Sequence, residues 1–260
     1  MIFDPLQAVT GDDWLQTRQG RRLYLRQEKL ILDLVAPVAG ESVLDVGCGS
    51  GNTLRMFGRK KCLLTGMDPS AAALESARRN LGALCELVLG NAADIPFSDN
   101  EFDVVTLTGG LQGSANPQKA LAEAVRVSRN RVFVGFLNRY SSAGTGQAVR
   151  NFFGFPAASN LRFFSIGEMQ TLIHKTMSGA QIQWGSVMCL PGPAVALLSS
   201  LEDLFPMRNN PLGAFVGMVF SVNYTYRTVQ HPVLNSFKLK ARERAAAPEA
   251  VRDMLREGKP

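Results

Sequence analysis

The stretch Val43-Leu44-Asp45-Val46-Gly47-Cys48-Gly49-Ser50-Gly51-Asn52 constrains the fold more than any other part of the chain. Its first four residues are a short apolar run holding one carboxylate, the pattern of a parallel strand buried on both faces. Gly47, Gly49 and Gly51 then fall at every second position. Without Cβ atoms they allow a sharp turn and a close approach of backbone to ligand. Asn52 is expected to cap a helix running through Thr53-Leu54-Arg55-Met56-Phe57. Strand, glycine turn and helix start together predict a pocket with backbone N–H groups pointing outward, suited to an anionic or carboxylate-bearing ligand.

Asp45-x-Gly47-x-Gly49-x-Gly51 resembles the first motif of the class I S-adenosylmethionine-dependent methyltransferases. It does not fit the dehydrogenase fingerprint G-x-G-x-x-G. Further along, Lys61–Asp68 reads as a second strand ending in a carboxylate, and Pro69-Ser70 opens a helix from Ala71 towards Asn80, with Gly82 beyond it. An acid at that strand end suits a ribose diol, since its two oxygens accept from both hydroxyls; a surface Asp capping the next helix is the plainer alternative. Cys85–Leu89 reads as a third strand. Gly90-Asn91-Ala92-Ala93-Asp94-Ile95-Pro96-Phe97, followed by Phe102-Asp103-Val104-Val105, is similar to the family's third signature, G-D-A-x-x-L-P-F and then F-D-x-V. The family's adenine-contacting acid falls on Asn91, so an amide stands where a charge is usual; Asp94 is either a second candidate or a turn residue.

A fourth strand, Phe102–Leu107, ends in Thr108-Gly109-Gly110 and lacks the N/D-P-P-Y/F motif of nucleic-acid and glutamine N-methylating relatives. Pro117–Val127 resembles the family's next helix, with Ser128-Arg129-Asn130 in place of its usual Gly-Gly, and Arg131–Leu137 is the fifth strand. The resemblance implies an α/β fold: a doubly wound, mostly parallel seven-stranded Rossmann-like sheet whose last strand is antiparallel. It divides the chain into an N-terminal helical lid (1–40), a methyltransferase domain (41–230) with a cap insert after strand five (about 138–164), and a basic tail (231–260). It implies S-adenosylmethionine as cofactor, with S-adenosylhomocysteine as product, held by Asp45, Gly47, Cys48, Gly49, Asn52, Met67, Asp68, Pro69, Asn91, Ala92 and Thr108.

The ends of the chain are less specific. Leu23, Leu30, Ile31, Leu34 and Val35 share one helical face, ended by Pro37 and Gly40. Asp13-Trp14-x-x-Thr17-x-x-Gly20 is similar to the relatives' lid segment, although Trp14 packed on the core reads equally well. The insert from Ala143 to Phe164 carries Phe152, Phe153, Phe155, Phe163 and Phe164, fit for a cap over a pocket mouth or for plain core. A helix from Ser165 to about Met177 and strands near Ala180–Met188 and Ala214–Asn223 complete the sheet, with a helix or loop around Val195–Phe205 between those strands.

Composition narrows the function classes. Cys48, Cys62, Cys85 and Cys189 are far apart with no CxxC, which points to reduced thiols in a cytoplasmic protein and no metal site. The start Met1-Ile2-Phe3-Asp4-Pro5 lacks the basic and apolar regions of a signal peptide, and the uncharged stretch Trp184–Leu201 is broken by Pro191, Gly192 and Pro193, so no membrane span is expected. Half of the net charge of +6 falls in residues 238–260, where basic and acidic groups alternate and no aromatic is interleaved. That pattern fits a solvated helix face better than a nucleic-acid surface.

The chemistry expected is methyl transfer to a small, partly hydrophobic metabolite, in the manner of the ubiquinone/menaquinone-biosynthesis branch. The alternatives are a methyltransferase acting on nucleic acid or protein, and a non-catalytic S-adenosylmethionine-binding module. A base is needed only where the nucleophile must lose a proton, and the weak candidates are Asn138 and Tyr140, just past a strand end, and His174, mid-helix. Neither the acceptor nor the oligomeric state is written in the sequence.

Overall fold

Asp45 sits on an inner strand of a seven-stranded sheet, between two neighbouring strands whose residues are almost all buried. The computed structural model describes residues 18–141, 162–187 and 210–222, all within one compact unit, Met1–Asn223. In chain order the elements are α1 (Arg18–Val35), β1 (Ser42–Val46), α2 (Asn52–Gly58), β2 (Leu63–Asp68), α3 (Ala71–Leu81), β3 (Cys85–Leu89), β4 (Phe102–Leu107), α4 (Pro117–Val127), β5 (Ser128–Leu137), α5 (Ile166–Thr176), β6 (Ile182–Val187) and β7 (Phe215–Ser221). The sheet order is β3-β2-β1-β4-β5-β7-β6. β1 to β5 pair in parallel, and β7 runs antiparallel to both neighbours. This is the doubly wound, mostly parallel architecture read from the sequence, with the reversed last strand. The lid segment before residue 18, most of the aromatic insert, Cys189, the Val195–Phe205 segment and the basic tail lie outside the described residues.

Alternate side chains of the strands feed two cores, one on each face. Leu44, Val46, Val105, Leu107, Val132, Val134 and Phe136 pack with Ala120, Leu121 and Ala124 of α4 and Met169 and Ile173 of α5. Val43, Val104, Phe133 and Val219 pack with Leu30, Ile31, Leu34 and Val35 of α1, Leu54 of α2, and Leu74 and Leu81 of α3. The apolar face of α1 read from periodicity is therefore the face it buries. Its helix ends at Val35 and the chain turns through Ala36, at φ 46°, and Gly40.

Local chemistry sets most boundaries. Ser70 caps α3 through the Ala73 amide, Asn116 caps α4 through the Lys119 amide with Pro117 in the first turn, and Ser165 and Glu168 form a reciprocal capping box on α5. Two boundaries differ from expectation. Ser128-Arg129-Asn130 is the start of β5 rather than a turn: Phe102 pairs with Ser128 and the register then shifts before Val104 pairs with Arg131, so a bulge absorbs the joint. Asn52 is the first residue of α2 and not its cap. Gly51 takes the cap position at φ 85°, with no side-chain capping bond, and Asn52 instead bonds Ser50 and accepts from Arg55.

Candidate functional site

The parallel strands deliver their carboxyl ends to one edge of the sheet, the edge at which open α/β sheets bind ligands. At that edge the loops after β1, β2 and β4 meet. The β1 loop and the β4 loop touch backbone to backbone: a Cβ on Gly47 would lie 2.5 Å from the Gly110 Cα, and one on Gly110 would lie 2.5 Å from the Val46 carbonyl oxygen. Gly47 also sits at φ +77°, so no other residue fits there without strain. Gly49 is different: at φ +54° it faces open space, with nothing within 4 Å of where a Cβ would be.

The turn does not present its amides as the sequence suggests. Gly47 and Cys48 both donate to the Met67 carbonyl, at 2.7 and 3.1 Å, and Gly51 donates to the Cys48 carbonyl at 2.9 Å. Gly49 donates to Oδ2 of Asp68 at 2.9 Å. Four amides of the turn are thus held by the chain itself, chiefly by the end of β2. The turn is folded around acceptors, and the charged groups that border it are carboxylates. An anion-binding cradle is the wrong description.

Asp45 and Asp68 are those carboxylates. Asp68 is buried at the end of β2, turned towards the glycine turn, with Oδ2 on Gly49 and Oδ1 accepting from the Ser70 amide at 2.9 Å. Each oxygen keeps a second lone pair. Asp45, wholly buried in β1, has Oδ1 accepting from Thr106 at 2.6 Å and from Thr108 at 3.2 Å. Its Oδ2 is buried with no hydrogen-bond partner among the described residues. Burial pushes the Asp45 carboxyl up to about 7, the two threonine hydroxyls opposing and the nearby Asp68 charge adding to the rise. An orphaned buried acceptor costs the fold free energy, and a cation seated against it removes that cost.

The other expected cofactor contacts fall as follows. Met67 is buried and gives its carbonyl to the turn, while Pro69 is exposed beyond it. The Cys48 thiol is held far above its ordinary value by burial and by Asp45 and Asp68; it remains a neutral thiol. Thr108 is spent on Asp45 and Thr53, the latter at 3.2 Å. Asn91 is exposed after β3, with its Oδ1 accepting from the Ala93 amide at 2.9 Å, and Ala92 beside it is buried.

The three candidates for proton transfer are separated by the structure. Asn138 is fully buried, and its side chain is consumed by Pro211, Gly213 and Tyr140: Nδ2 donates to two carbonyls and Oδ1 accepts an amide. It locks the end of β5 to the segment before β7. Tyr140, 64% exposed, stands beside it. His174 is exposed in the last turn of α5. That helix starts beside the end of β5, so eight residues on His174 is about 12 Å down its axis and does not reach the site. The residues missed by the sequence reading are Thr53, Thr106 and Gly110. Only Gly110 left a trace there, in the Gly109-Gly110 pair after Thr108. Among the described residues no group of three or more His, Cys, Asp or Glu side chains is placed to hold a metal ion, Cys48, Cys62 and Cys85 are free thiols, and no helix is long and apolar enough to cross a membrane.

Residues 44–134, from β1 into β5, match the family model described as methyltransferase domain. The demethylmenaquinone methyltransferase of Renibacterium salmoninarum is 35% identical over 133 residues, 49% of this chain and 53% of that protein. That of Clavibacter sepedonicus is 39% identical over 95 residues, 36% of this chain and 39% of that protein. The chain thus spans about half, or less, of the length of these curated relatives. A solved S-adenosylmethionine-dependent methyltransferase from Thermotoga maritima superposes with a TM-score of 0.60 at 22% identity, over 77% of this chain and 89% of that one, a likeness of fold. The end of β1, the glycine turn and the paired carboxylates lie inside the matched segment, which is thereby a methyltransferase domain similar to those of the class I S-adenosylmethionine-dependent enzymes.

Proposed function

We propose that this protein transfers a methyl group from S-adenosylmethionine to a small, partly hydrophobic acceptor of the quinone class. The observation that carries the reading is the unpartnered, buried Oδ2 of Asp45 beside the Asp68 carboxylate at the glycine turn. A ligand with an ammonium group and a ribose diol complements that pair: the ammonium supplies the hydrogens Oδ2 lacks, and the hydroxyls meet the spare lone pairs of Asp68. The fit is to a cationic amino acid joined to a nucleoside, and the open space at Gly49 leaves room for it. When bound, the cofactor supplies a sulfonium methyl that passes to a nucleophile, leaving S-adenosylhomocysteine.

The chain's own part is to bind, orient and keep water out. Asn138 is a neutral amide whose Nδ2 is held by two carbonyls and whose Oδ1 accepts the Tyr140 amide, and His174 stands a helix's length from the strand end, which weighs against either as a base. Tyr140 keeps its place beside the strand end. An electron-rich ring carbon of a reduced quinone precursor attacks before any proton is lost, and its ring proton leaves to water afterwards as aromaticity is restored, whereas an alcohol must lose its proton first; that agrees with a site poor in bases. The names of the relatives point to the same acceptor class.

Calorimetry with S-adenosylhomocysteine is the first test. Micromolar binding is expected, with Asp68→Ala weakening it by at least about tenfold. Wild-type affinity in that variant would remove Asp68 from the site. Turnover with labelled methyl donor and a demethylated naphthoquinol then tests the acceptor; binding without turnover on it or on mixed metabolite extracts would make the chain a binding module.

A further inference from the structure

Asp45 has one neighbour on each side in the sheet. On β2 its register partner is Gly66, which has no side chain, and a Cβ there would run into Leu54, Leu87 and Cys48. On β4 the partner is Thr106, wholly buried, with its hydroxyl 2.6 Å from Oδ1 and only 3.5 Å from its other acceptor, the Leu44 carbonyl. Every hydroxyl reaching Asp45 therefore comes from the β4 side, and both converge on the same oxygen.

Hydrogen accounting fixes the direction of this network. An ionised carboxylate only accepts, so Thr106 and Thr108 each donate to Oδ1. Thr108 has then used its one hydrogen, and Thr53, 3.2 Å away, must donate to Thr108. The chain of donors runs from α2 through the β4 loop to β1 and ends on Oδ1. Oδ2 receives no hydrogen bond among the described residues. The terminal torsion of an Asp side chain is broad, so without these hydroxyls the carboxylate plane can swing away from the orientation that leaves one oxygen clear of the β4 side.

We propose that Thr106, which reaches no ligand itself, is a positioning residue: its hydroxyl pins Oδ1 of Asp45 so that Oδ2 meets the ammonium group of the bound cofactor. The proposal rests on the methyltransferase reading above. The same bond stabilises the ionised form that the ammonium requires, against burial and the charge of Asp68. The other titratable groups acting near Asp45 are the thiols of Cys48 and Cys85, both raised and neutral, so no further charge competes with the threonines. Loss of the hydroxyl thus has two linked effects: a carboxylate free to turn, and one that holds its proton to higher pH.

The test compares Thr106→Val, which keeps the side-chain shape, Thr106→Ala as a second hydroxyl-free variant, and Thr106→Ser, which restores the hydroxyl. Calorimetry with S-adenosylhomocysteine at pH 6 to 9 is expected to show affinity reduced tenfold or more at pH 7 in the valine and alanine variants, the midpoint of its pH dependence moved upward, and recovery in the serine variant. 5′-Methylthioadenosine, which has the nucleoside but no ammonium, should bind wild type and Thr106→Val within twofold. Equal loss for both ligands would reduce Thr106 to a general structural role and overturn the proposal. So would an unchanged pH profile. A readout without ligand separates the two readings: the Asp45 carboxyl carbon, followed by NMR in the free protein, should titrate at higher pH in Thr106→Val than in wild type. If that shift is seen but wild type binds no S-adenosylhomocysteine, the methyltransferase reading fails while the hold of Thr106 on Asp45 stands. If the titration does not move, the hold itself is refuted.

Discussion

Asp45 keeps its proton in the folded chain up to about pH 7, whereas the unfolded chain releases it near the ordinary 3.8. Between those values the native state binds more protons, so stability falls as pH rises. The contribution is complete below about 3.8 and lost once pH passes about 7, and the interval corresponds to about 4 kcal/mol as an upper figure. Asp45→Asn removes this dependence and places a buried amide hydrogen where Oδ2 was. By scanning calorimetry of the free protein, the variant should be no more stable than wild type at pH 5 and more stable at pH 8. A difference constant across that range would mean that Asp45 is ionised throughout. The glycines give a paired prediction. Gly47→Ala sets a Cβ against the Gly110 backbone at a left-handed φ and should cost about 3 kcal/mol. Gly49→Ala pays only the left-handed backbone, about 1 kcal/mol, yet its methyl fills the open space and should abolish S-adenosylhomocysteine binding; retained binding in a folded Gly49→Ala protein would place the ligand elsewhere. Asp45 and Asp68 were legible in the sequence because each stands at a fixed distance from a glycine or a strand end. Thr106 was not, because its importance comes from the β1–β4 register, and nothing local announces which residue of a later strand lies opposite an earlier one.

At the level of elements, the strands and helices with strong punctuation were the most legible. β3, β4 and α4 begin and end at the residues read from the sequence, since Gly90, the polar run before Phe102, and Pro117 mark them. The start of β5 was missed because Ser128-Arg129-Asn130 has turn composition, and only pairing with β4 through a bulge makes it strand. The outward amides were misread for a related reason: a glycine turn next to a helix start looks like an anion cradle, but the carbonyl of Met67 and the carboxylate of Asp68 had already taken its donors. α5 shows how a local signal can be trusted on its own terms. Ser165 accepts from the Glu168 amide and Glu168 accepts from the Ser165 amide. Ser165→Ala should therefore cost about 1 kcal/mol in urea unfolding, while S-adenosylhomocysteine affinity stays at the wild-type value, because that helix end is tied to Arg139 and not to the glycine turn.

The molecule as a whole divides its labour between the two edges of the sheet. The carboxyl edge carries the orphaned acceptor, the left-handed glycines and the spare lone pairs, all of which cost stability until a ligand arrives. The amino edge is tied down. Arg131, near the start of β5, places Nη1 and Nη2 on the two oxygens of Glu41 at 3.0 and 2.6 Å and donates from Nε to the Val35 carbonyl at 2.8 Å. One side chain thus joins the end of α1, the entry to β1 and β5, the longest strand of the sheet. Both partners are mostly buried, at 20% and 16% exposed, so the pair is screened little by solvent, and a planar fork is needed to satisfy Glu41 and Val35 together. Arg131→Lys cannot do both. It should lower unfolding free energy by about 2 to 3 kcal/mol, and because Arg131 and the glycine turn lie at opposite ends of their strands, the affinity for S-adenosylhomocysteine in the folded variant should match wild type. A variant that stays stable but loses affinity would show that the two edges are coupled through α1, whose Tyr24 hydroxyl donates to the Asn52 carbonyl at the start of α2, and would move part of the binding energy from the local carboxylates to the packing of that helix.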